Sequence, residues 1–238
     1  MTAQEVREAL NAVATKERAE SNAWFFKTGE GQYGYGDQFL GVTVPQQRSI
    51  AKKFYKNLSL EGAEILLKSP WHEERLTALF IFVLKYQKGD TGRKDEIANL
   101  YLKNTKYINN WDLVDSSAEH IIGPWLQNSP YKMKVLSKLA RSKDLWERRI
   151  AMLSSFHYIK QGRVDESLEI IEILLHDSHD LIQKAVGWML REIGKRVDKQ
   201  VLLTFLNKHA ATMPRTSLRY AIEHFPQPER QQYMNMRQ

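Results

Sequence analysis

The chain has 238 residues, 42% hydrophobic and 26% charged, which permits one large domain or one repeat array with a substantial core and excludes a disordered chain. Its 35 Lys and Arg against 28 Asp and Glu leave a net charge of +7, which favours an anionic partner such as nucleic acid. Cysteine is absent, excluding disulfides, thiolate nucleophiles and thiolate zinc sites, and no run approaches the roughly 18 apolar residues of a membrane span.

The first residues, Met1-Thr-Ala-Gln-Glu-Val-Arg, are amphipathic and charged, without the apolar run of a signal peptide, so the cytoplasm is the expected compartment. Residues 27–41 differ from the rest of the chain: they hold five of its twelve glycines, interleaved with Tyr33, Tyr35 and Phe39. Glycine removes helix propensity, and alternating tyrosines suit a short strand or hairpin. This insertion, about 28–41, reads either as a flexible aromatic projection or as a loop tucked on the first helices, and the composition favours the projection.

Nearly everything after Val44 has helical period. Ser69-Pro70 and Ser129-Pro130 resemble an N-cap followed by proline at the first helical position, and Asp144 with Glu147 resembles a capping box. Gly89, Gly123, Gly162 and Gly194 recur at intervals of 34, 39 and 32 residues, where helix C-termini are expected. Asp144-Leu-Trp-Glu-Arg-Arg-Ile-Ala-Met-Leu can be laid over Asp180-Leu-Ile-Gln-Lys-Ala-Val-Gly-Trp-Met-Leu with a 36-residue shift, and Arg75 lies 74 residues before the matching Arg149. The expectation is a single all-α domain over 1–238, an α-solenoid or superhelix of stacked antiparallel HEAT-like helix pairs with a concave face; an irregular all-α bundle is the alternative.

Three segments carry candidate chemistry. In Asn109-Asn-Trp111-Asp112-Leu-Val-Asp115, Trp111 and Asp115 are four apart and share a helix face. A carboxylate beside an indole is partly desolvated and suited to stabilising a cation, although a packing Trp and a salt-bridged Asp fit the same pattern. Asp112 reads as a cap or dipole partner at the helix start. In Trp146-Glu-Arg148-Arg149, Arg149 falls among Met152, Leu153 and Phe156, so its guanidinium needs a carboxylate or phosphate partner, and Asp115 is a candidate. In Ile182 to Val197, Lys184, Trp188, Arg191 and Lys195 fall within roughly 60° on one face, opposite Val186, Met189 and Ile193. That face is either solvated, with Lys and Arg stems over an exposed Trp, or a surface for an anionic polymer. His176 and His179 belong to a helix-junction loop in preference to a metal site, and the Gly-Glu-Gly-Gln-Tyr-Gly run lacks the context of a phosphate loop.

Together, Phe39-Leu-Gly41-Val-Thr43-Val-Pro45-Gln-Gln-Arg48, Trp111-Asp-Leu-Val-Asp115, Trp146-Glu-Arg-Arg149-Ile-Ala-Met-Leu and Ile182-Gln-Lys-Ala-Val-Gly-Trp188-Met-Leu-Arg191-Glu resemble the AlkD-like branch of the DNA alkylation repair family, HEAT-like proteins. The resemblance covers most of the chain, in order. It implies a DNA glycosylase, without metal or cofactor, acting on 3-methyladenine and 7-methylguanine in double-stranded DNA; a monomer is the default for a solenoid without an obvious sticky edge. It implies that Trp111, Asp115 and Trp188 meet on a concave face as the catalytic set, and that Arg149, Lys184, Arg191, Lys195, Arg48 and Thr43 contact DNA, together with Phe25, Tyr33 and Tyr35. Two departures stand out: Phe25 replaces a tyrosine of the active branch, and the Gly/Tyr segment is about seven residues longer, resembling the β-hairpin of the AlkF and AlkG branches, which bind branched DNA. A branched-DNA binder and a HEAT-type protein scaffold are the competing functions.

Overall fold

The computed structural model describes residues 1–236, and every regular element in it is helical. Among the described residues no β-strand forms, and an isolated parallel bridge joins Gln38 to Trp71. No helix there is long and apolar enough to cross a membrane. The chain divides into two compact units, Met1–Ser117 and Ala118–Gln238.

The first unit contains α1 (Ala3–Asn11), α2 (Lys16–Phe25), α3 (Val44–Phe54), α4 (Leu60–Leu67), α5 (His72–Lys88), α6 (Thr91–Lys103) and the short α7 (Trp111–Asp115). Helix α5 is its spine, packed by α1, α3, α4, α6 and α7. Thirteen of its seventeen residues are buried, and so is its charged first turn, His72-Glu73-Glu74-Arg75. An all-round apolar helix belongs in a core. Four ionisable groups at its buried end need partners from other elements. Helix α2 is the opposite case, since it buries none of its residues.

The second unit contains α8 (Ala118–Leu126), α9 (Lys132–Ala140), α10 (Leu145–Ile159), α11 (Asp165–Leu174), α12 (Asp180–Arg196), α13 (Lys199–His209), α14 (Arg215–Ala221) and α15 (Gln227–Asn235). Helices α8, α10, α12 and α14 pack successively in one layer, and α9 packs on α11 in another. The repeat is visible in its register. Helix α12 begins 35 residues after α10, at Asp180 against Leu145. Contacts Arg149 to Leu181 and Phe156 to Trp188 both step by 32 residues, so these equivalent helices run parallel. Successive units of a helical repeat cover each other's apolar faces in this way.

Several expectations change at the level of caps and turns. Ser69 and Ser129 do not cap helices; each Oγ accepts a backbone N–H two residues on, from Trp71 at 3.1 Å and Tyr131 at 3.2 Å, and the helices begin later. Gly89 and Gly162 do follow helix ends, but Gly123 and Gly194 lie inside α8 and α12. They are packing glycines: a Cβ on Gly194 would fall 2.5 Å from Leu202 Cδ2, and one on Gly123 equally close to the Ser154 carbonyl oxygen. The Gly/Tyr segment is neither a strand nor a hairpin. It forms a series of tight turns with Gly34 and Phe39 buried, because its backbone is tied down from α5. Glu73 accepts the N–H groups of Leu40, Gly41 and Val42 at 2.8, 3.0 and 3.3 Å.

Candidate functional site

In the first unit, Trp111 and Asp115 occupy the two ends of α7, both half-buried. The helix has five residues, far too short to be stable by itself, so side chains from other elements must hold it. Asn110 caps it, its Oδ1 accepting the Trp111 N–H at 2.8 Å. At the far end Ser117 Oγ donates to the Leu113 carbonyl at 2.6 Å and meets the Tyr101 hydroxyl at 2.9 Å. Burial pushes the Tyr101 phenol well above its usual range; the Ser117 hydrogen bond opposes this, and the nearby Asp115 carboxylate adds to it.

The Trp111 indole sits in an aromatic cluster. Phe26 stacks on it with ring centres 5.3 Å apart, and Phe25 meets it edge-on at 5.9 Å. Its Nε1 donates to the Tyr33 hydroxyl at 3.3 Å, so the Gly/Tyr segment becomes part of this site. Phe25 stays 54% exposed, and Trp24 and Tyr35 reach 83% and 68%. Thr43 caps α3, its hydroxyl donating to Gln46 Oε1 at 2.6 Å. The exposed Arg48 lays its guanidinium over Phe80 at 4.1 Å.

Behind Trp111 lies a buried ionic network that sequence reasoning missed. His72 Nδ1 is 2.9 Å from Asp37 Oδ2, and Nε2 is 2.8 Å from Asp112 Oδ2. Arg75 pairs with the other Asp37 oxygen, and Asn110 Nδ2 donates to Asp37 Oδ2 at 3.3 Å. Phe26 and Phe39 flank the imidazole at 4.8 and 4.7 Å. Burial disfavours the charged ring, but the Asp112 carboxylate and then Asp37 outweigh it and push the His72 pKa up to about 9. Burial likewise works against ionised Asp37, yet the His72 hydrogen bond and the Arg75 charge hold its carboxyl below the usual range. Asp112 also accepts the Leu113 N–H at 2.9 Å, the local role expected of it, but its other oxygen reaches across to α5. The available signal was the run His72-Glu-Glu-Arg75 opening an otherwise apolar helix.

In the second unit the basic stripe is more neutralised than its sequence implies. Lys184 Nζ lies 2.9 Å from Asp180 Oδ2 and Arg191 pairs with Glu223, whereas Lys195 is exposed and has no ion pair among the described residues. Trp188 is half-buried against Phe156, ring centres 5.7 Å apart, with Nε1 donating to Glu192 Oε1 at 3.3 Å. Glu192 is buried and also pairs with Arg196, another role the sequence concealed. Arg149 is buried, and its Nη1 donates to the Leu181 carbonyl at 2.6 Å. His179, set aside as a metal ligand, caps α12 by accepting the Leu181 N–H at 3.2 Å. Arg191 and Lys195 also border a cavity of about 500 Å³ floored by Leu202, Ala221 and Phe225.

The sequence profile of a family described as DNA alkylation repair enzyme matches residues 6–225. Among solved structures, the chain is similar to a predicted DNA alkylation repair enzyme from Enterococcus faecalis, with TM-score 0.70 and 16% identity over 90% of this chain and 97% of that one. It is also similar to AlkD2 from Streptococcus mutans, with TM-score 0.55 and 19% identity over 88% and 98% of the two chains. No curated protein matches it.

Proposed function

The chain belongs to the DNA alkylation repair enzyme family, and from that premise we propose that it is an N-glycosylase releasing cationic alkylated purines, 3-methyladenine and 7-methylguanine, from double-stranded DNA. The observation that carries this reading is the mounting of Trp111 and Asp115 on one short helix anchored at both ends, with the indole half-exposed beside Phe25.

An alkylated purine already carries the positive charge that makes it a leaving group. When the C1′–N bond breaks, the base departs neutral with the bonding pair, and the deoxyribose becomes oxocarbenium-like. A fixed Asp115 carboxylate stabilises that cation more than the ground state, which is the condition for acceleration. Water then adds to C1′ and loses a proton, with Asp115 orienting it or accepting the proton. The Trp111 face attracts the cationic nucleotide. Tyr33 supplies a hydroxyl at this indole, where Phe25 has none. In the second unit Trp188 is assigned a further aromatic contact with DNA, and Lys184, Arg191 and Lys195 are assigned to backbone phosphates, with Arg48 and Thr43 in the same role in the first unit, whereas Arg149 is buried against the Leu181 carbonyl and takes a structural role.

Base release from duplex DNA carrying N-methylated purines tests this directly. Asp115→Asn is expected to slow single-turnover release by about 100-fold or more while leaving duplex binding within about threefold. No release by the wild-type protein above a no-protein control, on both lesions, would end the glycosylase reading.

A second reading, a non-catalytic binder of branched DNA, is favoured by one observation, the exposure of Trp24, Phe25 and Tyr35. Deleting residues 29–36 distinguishes it: a binder of junctions loses affinity for them far more than for linear duplex. The glycosylase reading expects similar losses on both.

A further inference from the structure

The ionic network behind Trp111 has a geometry that constrains its protonation state. Both ring nitrogens of His72 face carboxylate oxygens at hydrogen-bond distance, and carboxylates only accept. A neutral imidazole has one N–H, so it leaves one nitrogen lone pair against a carboxylate. The imidazolium donates to both. Charge balance agrees: with His72 protonated, Asp37, Asp112, His72 and Arg75 sum to zero in a buried site, and with His72 neutral they leave one uncompensated negative charge. The network joins three pieces of chain: Asp37 from the Gly/Tyr segment, His72 and Arg75 from α5, and Asp112 from the first turn of α7. The other charged groups at this end of α5 are engaged elsewhere, Glu73 with the 40–42 backbone and Glu74 with Arg7 at 2.9 Å. The uncharged neighbours are Phe26, Phe39 and Asn110.

We propose that His72 is a positioning residue for this site: by donating to Asp112 and Asp37 at once, it locks α7 to the Gly/Tyr segment and fixes the presentation of Trp111 and Asp115. The role rests on the reading of Trp111 and Asp115 as the lesion-contacting pair. It acts through the helix, since His72 is buried behind Trp111 and closed off from solvent. One ring links the imidazole to the indole, because Phe26 packs on both. Loss of the proton therefore releases the first turn of α7 and disturbs the Phe26–Trp111 stack together. The raised pKa of His72 is consistent with a clamp closed at neutral pH and opened only in alkali.

Three measurements on the full chain test the role. The first is nitrogen NMR of protein labelled in its histidine rings, in which His72 is expected to remain an imidazolium through pH 8 and in Asp37→Asn to titrate closer to the ordinary histidine value. The second is fluorine NMR of protein carrying 5-fluorotryptophan, in which the Trp111 resonance, assigned with Trp111→Phe, is expected to shift with the His72 midpoint in both proteins. The third is the pH profile of single-turnover release of 7-methylguanine, whose alkaline limb is expected to follow the same midpoint. If Asp37→Asn lowers that midpoint to about 7.5, its rate at pH 8.5 falls about tenfold relative to its plateau, with the wild-type rate falling less than twofold. Asp37→Asn keeps a polar side chain of the same shape, so the test does not depend on His72 variants folding. A neutral His72 ring at pH 7, or a Trp111 resonance that ignores the His72 titration, overturns the proposal. A rate limb that stays in place while both resonances move overturns it as well. Absence of any base release defeats the glycosylase reading instead, and the two resonance experiments then decide the clamp by themselves.

Discussion

Gly41 adopts φ +86°, and a Cβ added there would lie 1.9 Å from the Thr15 carbonyl oxygen and 2.6 Å from the Ala19 nitrogen. The left-handed backbone alone costs an L-residue roughly 1–2 kcal/mol, and forcing an atom into a packed contact adds about 1–3 kcal/mol. Gly36 provides the contrast, with φ +84° and nothing near its missing Cβ. Gly41→Ala is therefore expected to destabilise the protein by about 2–5 kcal/mol and Gly36→Ala by about 1–2 kcal/mol, read as the difference in denaturant midpoint at constant m. Equal losses would mean that the close approach of α2 to the Gly/Tyr segment does not exist in solution. Both residues looked alike in the sequence, two glycines in one glycine-rich run. Only the positions of Thr15 and Ala19, neighbours through space, separate them.

At the scale of elements, α7 depends on groups outside itself, and this gives it a pH dependence. The folded-state pKa of His72 is raised, to about 9, above an unfolded value of about 6.5. Its stabilisation is fully present below about pH 6.5 and is lost as pH rises through about 9. The amount at stake is on the order of 3 kcal/mol for a shift of this size in a buried group. Thermal unfolding midpoints are thus expected to decline between about pH 7 and pH 10, and Asp112→Asn to begin lower and decline less over that window. A flat profile in the wild type would contradict the protonated network. The sequence marked α7 correctly as the carrier of Trp111 and Asp115, because their spacing is local. Its attachment was not legible, since Asp37, His72 and Asp112 are separated by 35 and 40 residues.

For the molecule as a whole, the net charge of +7 is the bulk quantity that bears on DNA, but the number of positive side chains overstates what a duplex receives. A cation already paired with a carboxylate must exchange that partner for a phosphate, so part of its contribution is offset. Lys184 and Arg191 are paired with Asp180 and Glu223, and Lys195 is exposed without an ion pair among the described residues. Lys195→Ala is expected to reduce the slope of log affinity against log salt by about one, with Lys184→Ala and Arg191→Ala reducing it by less. Duplex titrations at several salt concentrations measure all three. The reverse ranking would show that the intramolecular pairs open on binding.

The sequence by itself determined the helical class, the repeat period of α10 and α12, the family resemblance and the pairing of Trp111 with Asp115 on one element. These are properties of spacing within a segment, where periodicity is enforced by the helix. Tertiary structure decided which glycines end helices and which let helices approach, as Gly194 does against Leu202. It made the Gly/Tyr segment, readable as a projection or a tucked loop, into turns held by Glu73, and it brought Tyr33 to the Trp111 indole. It also buried His72 between two aspartates. Desolvation, charge pairing and close approach depend on neighbours brought together by folding, and one-dimensional spacing does not encode them.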